Sequence, residues 1–208
     1  TVAMGVLGAL ISPLAAAGLL IVPSLVTNVW QLLAGPALWP LVRRLWPMML
    51  AICLGTLPGT AWLARGGTGA TTTALGIVLV VYAGVTLLAR PLQVPAGAER
   101  WLSPVVGAVT GLVTGVTGVL VVPAVPYLQA LGLARDDLVQ ALGLSFTVST
   151  LALAAGLGAR GALAVDGLGL SLLALVPALA GMAAGQWLRR RISPASFRRL
   201  FLVGLLLL

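Results

Sequence analysis

The chain has 208 residues, 60% of them hydrophobic, with twelve Arg and no Lys or His against four acids, for a net charge of +8. A charged fraction of 8% and a mean hydropathy of +1.13 exclude a soluble domain, in which about 25% of residues are charged. Without His or Lys there is no Ser–His or Ser–Lys dyad. A single cysteine, Cys53, supplies no zinc set, and packs as a small hydrophobe. The composition therefore describes an all-α integral membrane protein that is not an enzyme and calls for no cofactor or metal. Its arginines stand at the ends of apolar runs, where they anchor loops at lipid headgroups. None lies in a basic run interleaved with aromatics, so nucleic acid is not a partner. Arg without Lys, beside abundant Ala, Gly and Leu, points to a GC-rich bacterial genome and a bacterial inner-membrane location.

The apolar segments give room for about seven transmembrane helices in one polytopic domain. The first stretch is 2–33, broken by Pro13 and Pro23. Arg43 and Arg44 precede a span at 45–64, and a third follows at 71–89. Residues 91–101, with two prolines and three charges in and around them, form a linker. The stretch 102–131 is studded with Gly107, Gly111, Gly115, Gly118, Pro123 and Pro126, which predicts an interruption near mid-membrane. After Arg135–Asp136–Asp137 come spans at 138–157 and 167–188. A last span runs from about Ala195, beyond Arg189–Arg190–Arg191.

The second half repeats the first. Trp62–Leu63–Ala64–Arg65 and Trp187–Leu188–Arg189–Arg190 are the same kind of span end, 125 residues apart. The same shift lays Ser12–Pro13 on Asp137–Leu138 and Ala16 on Ala141. Repeat 1 is 1–90 and repeat 2 is 102–208. The glycine-rich stretch of repeat 2 has no counterpart in repeat 1, so the first repeat is expected to be N-terminally incomplete. Internal duplication with broken helices is the architecture of secondary transporters, with the site between repeats.

Three polar groups mark the candidate path. In SPVVGAVTGLVTGVTGVLVVPAVPYLQ (103–129), small residues at spacings of three and four allow close helix packing. The glycine pair and the prolines also predict a break at Gly115–Gly118, flanked by Thr114 and Thr117. A break frees backbone N–H groups, which must face protein or a wet cavity, and these suit an anion. In Pro23 to Gln31, Thr27, Asn28 and Gln31 share a helix face near Ser24. They read either as interhelical glue or as donors lining a path. In QALGLSFTVST (140–150), Ser145, Thr147 and Ser149 occupy the matching place in the second half, where bonding back to their own carbonyls is the bland reading.

These residues resemble the sulfite exporter TauE/SafE family of bacterial membrane transporters. The resemblance is carried by GLVTGVTGVLVVPAVPYLQALGL at 111–133, by the Asp137-led span with Ala141 and Ser145, by the Trp187-led basic end, and by PSLVTNVWQ at 23–31. It implies a two-repeat bundle that exports small organic or sulfur-containing anions such as sulfite. The chain lacks the cysteines expected of branches that handle thiosulfate through thiols, which weighs against thiosulfate. The runner-up is a non-transporting structural or assembly subunit, which has no need of a polar cavity at mid-membrane.

The partners expected are a small anion and the lipid bilayer; the sequence leaves the oligomeric state open. No acid sits at a span centre, so the expected motion is down the electrochemical gradient rather than proton-coupled. With seven spans, Arg43, Arg44, Arg90, Arg100 and Arg160 fall on one side. The other side takes Arg65, Arg135 and the basic end 189–199, which is expected to face the cytoplasm.

Overall fold

The computed structural model describes residues 2–88, 93–163 and 168–191. These residues form eight helices: α1 (Val2–Leu10), α2 (Pro13–Leu33), α3 (Leu38–Arg65), α4 (Thr68–Leu88), α5 (Ala96–Thr117), α6 (Ala124–Ala130), α7 (Arg135–Gly158) and α8 (Leu168–Arg191). Helices α2, α3 and α7 are long and apolar enough to cross a membrane, and α4 and α8 hold shorter apolar stretches at 68–84 and 169–185. The all-α membrane class holds, but the helix count differs from seven. The expected last span, Asp166, and most of the basic end lie outside the described residues.

Two of the expected stretches each divide. The first divides at Ser12, whose Oγ accepts a hydrogen bond from Ala15 N at 3.1 Å. Pro13 then takes an opening position of α2, where a missing N–H costs nothing. Pro23 does not break α2. The stretch 102–131 divides at Gly118, which ends α5 with φ 71, a left-handed conformation that glycine adopts without strain. The expected linker 91–101 is also shorter than read. Helix α5 begins at Ala96 behind Pro95, with Glu99 in a first turn that favours acidic groups.

Glycines set the register of the bundle. Gly107 packs on Met48, Gly111 on Ile52 and Gly115 on Thr56, while Gly55 packs on Ala108 and Gly59 on Leu112. A Cβ at any of these would run into backbone, so small residues bring the helices close, as in membrane bundles generally. The register rises together, so α3 and α5 run parallel. Gly156 lies on Thr60, and Leu144 shares a buried cluster with Met48 and Met49, so α7 is parallel to α3. Gly143 lies on Leu32 while Thr150 meets Asn28, so α7 is antiparallel to α2.

Helix α6 does not continue α5 across the bundle but turns back along it. The Tyr127 and Ser103 hydroxyls share a hydrogen bond at 2.6 Å, Tyr127 also donates to Glu99 O at 3.4 Å, and Val94 N donates to Ala130 O at 2.9 Å. The expected interrupted span is therefore a hairpin that returns to its own end. This corrects the expected division of the arginines. Arg43, Arg44, Arg100 and Arg135 share one end of the bundle, where Arg44 Nε and Nη2 donate to the two Glu99 carboxylate oxygens at 2.6 and 2.7 Å. Arg160 reaches Leu57 O at the other end, which Arg65 shares. Exposed Trp30, Trp39, Trp46 and Trp101 ring the first end, with Arg43 over the Trp39 face at 5.0 Å. Such a ring is an interfacial aromatic belt.

Candidate functional site

The break after α5 is tied off by the two threonines beside it. Gly118 N still bonds to Thr114 O at 2.7 Å. Thr117 Oγ1 donates to Val113 O at 2.7 Å and accepts from Val119 N at 3.2 Å. Thr114 Oγ1 donates to Val119 O at 3.1 Å. These bonds satisfy Val119 and stop there. Among the described residues, nothing accepts from the N–H groups of Leu120 and Val121.

Leu120 and Val121 line a cleft of about 210 Å³. Its other walls are Met4 from α1, Ser24 and Asn28 from α2, and Phe146, Thr150 and Leu153 from α7. Asn28 Nδ2 donates to Thr150 Oγ1 at 3.3 Å, a buried bond across the α2–α7 crossing. Met4 packs its thioether end on Gly118, so a Cβ there would force the Met4 side chain to shift. The lining residues are mostly apolar but carry a few donors: the Asn28 amide, the Ser24 and Thr150 hydroxyls and two backbone N–H groups that have no acceptor among the described residues. None of the lining residues is charged. A cleft of this kind can hold an oxyanion by hydrogen bonds alone. Among the described residues no group of three His, Cys, Asp or Glu could hold a metal ion.

A family model, sulfite exporter TauE/SafE, matches residues 1–208. The chain belongs to the TauE/SafE family. It is a membrane transporter and not an enzyme. No curated protein and no solved structure matches it.

Of the residues nominated from sequence, this TauE/SafE chain brings Asn28 and Gly118 into the cleft. Thr114 and Thr117 stand behind the break and hold it. Gly115 packs between Thr56 and Gly59 of α3. Thr27 donates back to Pro23 O at 2.9 Å. Gln31 is half-buried beside Gly143, outside the cleft lining. Ser145 and Ser149 are fully buried and also outside it. Sequence reasoning passed over Thr150 and Phe146. A signal for Thr150 existed: Gly143, Thr147 and Thr150 form a small-residue stripe at helical spacing, the pattern of a helix-facing surface.

Proposed function

We propose that this transporter exports small organic or sulfur-containing oxyanions through the cleft between α2, α7 and the 118–123 break. The observation that carries this reading is the pair of N–H groups at Leu120 and Val121, which have no acceptor among the described residues and belong to residues that share one cleft lining with Asn28 and Thr150. Unpaired backbone donors in a membrane protein are tolerated where they line a cavity, and they suit an anion. Neutral donors bind weakly enough for release, as conduction requires. A structural subunit, the runner-up, has no use for such a cleft.

The two-repeat organisation is part of the same proposal. A shift of 125 residues lays α2 on 138–158, nearly the extent of α7, and short α1 and α6 precede α2 and α7 respectively. Met4 of α1 then meets the α5–α6 break where the two halves face each other, which supports a site at the repeat interface. The bilayer in question is the bacterial inner membrane.

The test is transport by purified protein in proteoliposomes, with sulfite, sulfate and short alkyl sulfonates as probes. Asn28→Ala and Thr150→Val should each raise the half-saturating concentration about tenfold, or about 1.4 kcal/mol of lost binding, while folding stability falls by no more than about 1 kcal/mol, the net worth of one hydrogen bond. Variants that lose stability in step with activity would mark the Asn28–Thr150 bond as helix glue and sink the reading.

A further inference from the structure

Hydroxyls in this chain ordinarily bond back to their own helix. Thr56 donates to Ile52 O at 2.8 Å, Thr117 to Val113 O at 2.7 Å and Thr147 to Gly143 O at 2.7 Å. That is the usual resting state of Ser and Thr in membrane helices. Others bond elsewhere, as Ser103 does to Tyr127 and Ser171 to Leu19 O, but three buried hydroxyls do neither. Thr110 of α5 and Ser145 and Ser149 of α7 are 0% exposed, and their Oγ atoms have no hydrogen-bond partner among the described residues. Nearly all buried polar groups in proteins are satisfied, so three exceptions in one bundle need a reason.

The three also lie at one depth. Ser145 and Ser149 are four apart and share a face of α7 with Gly156, which packs on Thr60 of α3. Carried through the glycine register, Ser145, Thr110 and Ser149 stand level with Met49, Ala51 and Cys53 of α3. They span about 6 Å along the bundle axis, at 1.5 Å per residue. The cleft-lining Phe146 and Thr150 are the next residues along α7, turned by about 100°. Ser145 and Ser149 therefore sit beside the cleft, on the adjoining face of α7, with Thr110 of α5 at the same depth.

We propose that Thr110, Ser145 and Ser149 form a second, inner station for the transported oxyanion, loaded from the Asn28–Thr150 cleft. The proposal rests on the cleft being the first binding site. Each hydroxyl is a rotatable donor with no acceptor to give up. Three such donors on two neighbouring helices can close on an oxyanion without breaking a bond. Two weak neutral sites in series let an anion enter and leave, where one tight site would trap it.

The experiment is sulfite and ethanesulfonate transport in proteoliposomes at clamped potential, for Ser145→Ala/Ser149→Ala and for Thr110→Val. An inner station sets passage and not loading. The maximal rate should fall about tenfold while the half-saturating concentration stays within about twofold. Melting temperature should hold or rise, because the hydroxyls have no partner to lose. Thr110→Ser, which returns the hydroxyl, should recover most of the rate lost in Thr110→Val. Full rates in the alanine and valine variants, or a melting temperature that falls with rate, would overturn the station and leave these hydroxyls as holders of a structural water. Unchanged half-saturation in Asn28→Ala and Thr150→Val would instead remove the cleft, and a wild type that moves neither anion removes both.

Discussion

The Ser171 hydroxyl of α8 donates to the Leu19 carbonyl of α2 at 3.0 Å. Leu19 O is the group that Pro23, four residues on, leaves without its intrahelical donor. The carbonyl that a proline orphans in one helix is thus satisfied by a side chain from another, and this bond helps to dock α8. Ser171→Ala should cost about 1–3 kcal/mol, the penalty of a buried orphan acceptor. Pro23→Ala returns an N–H to Leu19 O, so the Ser171→Ala penalty should shrink in that background. Equal penalties in both backgrounds, measured by thermal unfolding in detergent, would refute the coupling.

Gln140 is another polar bolt of the bundle. It is 1% exposed. Its Nε2 donates to Leu32 O and Gly35 O, both at 2.7 Å, and its Oε1 accepts from Ala37 N at 2.8 Å. One side chain from α7 therefore satisfies the end of α2, the turn and the start of α3. Gln140→Leu should destabilise by about 2–4 kcal/mol, counting the carbonyls it strands. Gln140→Glu keeps the acceptor and loses both donors, so it should be no milder. A melting temperature for Gln140→Glu near the wild-type value would show that the two carbonyls find other partners.

The two glycine roles separate by mutation. Gly111→Ala should cost about 1–3 kcal/mol through overpacking on Ile52. Gly118→Ala meets Met4 and also forces a side chain into the left-handed region, at about 1–2 kcal/mol. Met4→Ala should relieve only the steric part. If Met4→Ala restored Gly118→Ala fully, the backbone conformation at the break would carry no cost of its own.

The glycines also show how far the sequence could be read. Small-residue spacing and a helix break were both legible in 103–129, and both exist, on different residues: Gly107, Gly111 and Gly115 pack, while Gly118 breaks. What hydropathy could not reveal is direction. A break followed by a short apolar stretch has the same composition whether the chain crosses onward or folds back, and the Ser103–Tyr127 and Val94–Ala130 contacts that decide it are tertiary. The same limit applied along α7. Ser145, Ser149 and Thr150 are alike as residue types, and only the face each presents separates the cleft from the interior.

The hairpin changes the expected topology. With α5 and α6 counted as a return, Arg43, Arg44, Arg100 and Arg135 gather at the tryptophan-ringed end, against Arg65 and Arg160 among the described residues of the other. Short loops rich in Arg stay cytoplasmic. A thiol introduced by Ala134→Cys in a Cys53→Ser background should resist an impermeant reagent added to intact cells and react in inverted vesicles. Labelling from outside would reverse the orientation.

The driving force follows from what the cleft lacks. Its lining offers hydrogen-bond donors but no side chain that titrates near neutral pH, so the proposed site has no group of its own with which to pair each anion to a proton. A permanently ionised cargo isolates this point, because a sulfite flux would carry its own protonation equilibrium. Ethanesulfonate efflux from proteoliposomes should therefore rise with an inside-negative potential, which is worth about 2.3 kcal/mol per charge per 100 mV. It should be indifferent to a pH gradient imposed at fixed potential. The opposite pattern, with flux tracking the pH gradient and ignoring the potential, would require a proton-carrying group facing the anion and would remove the neutral cleft as the path.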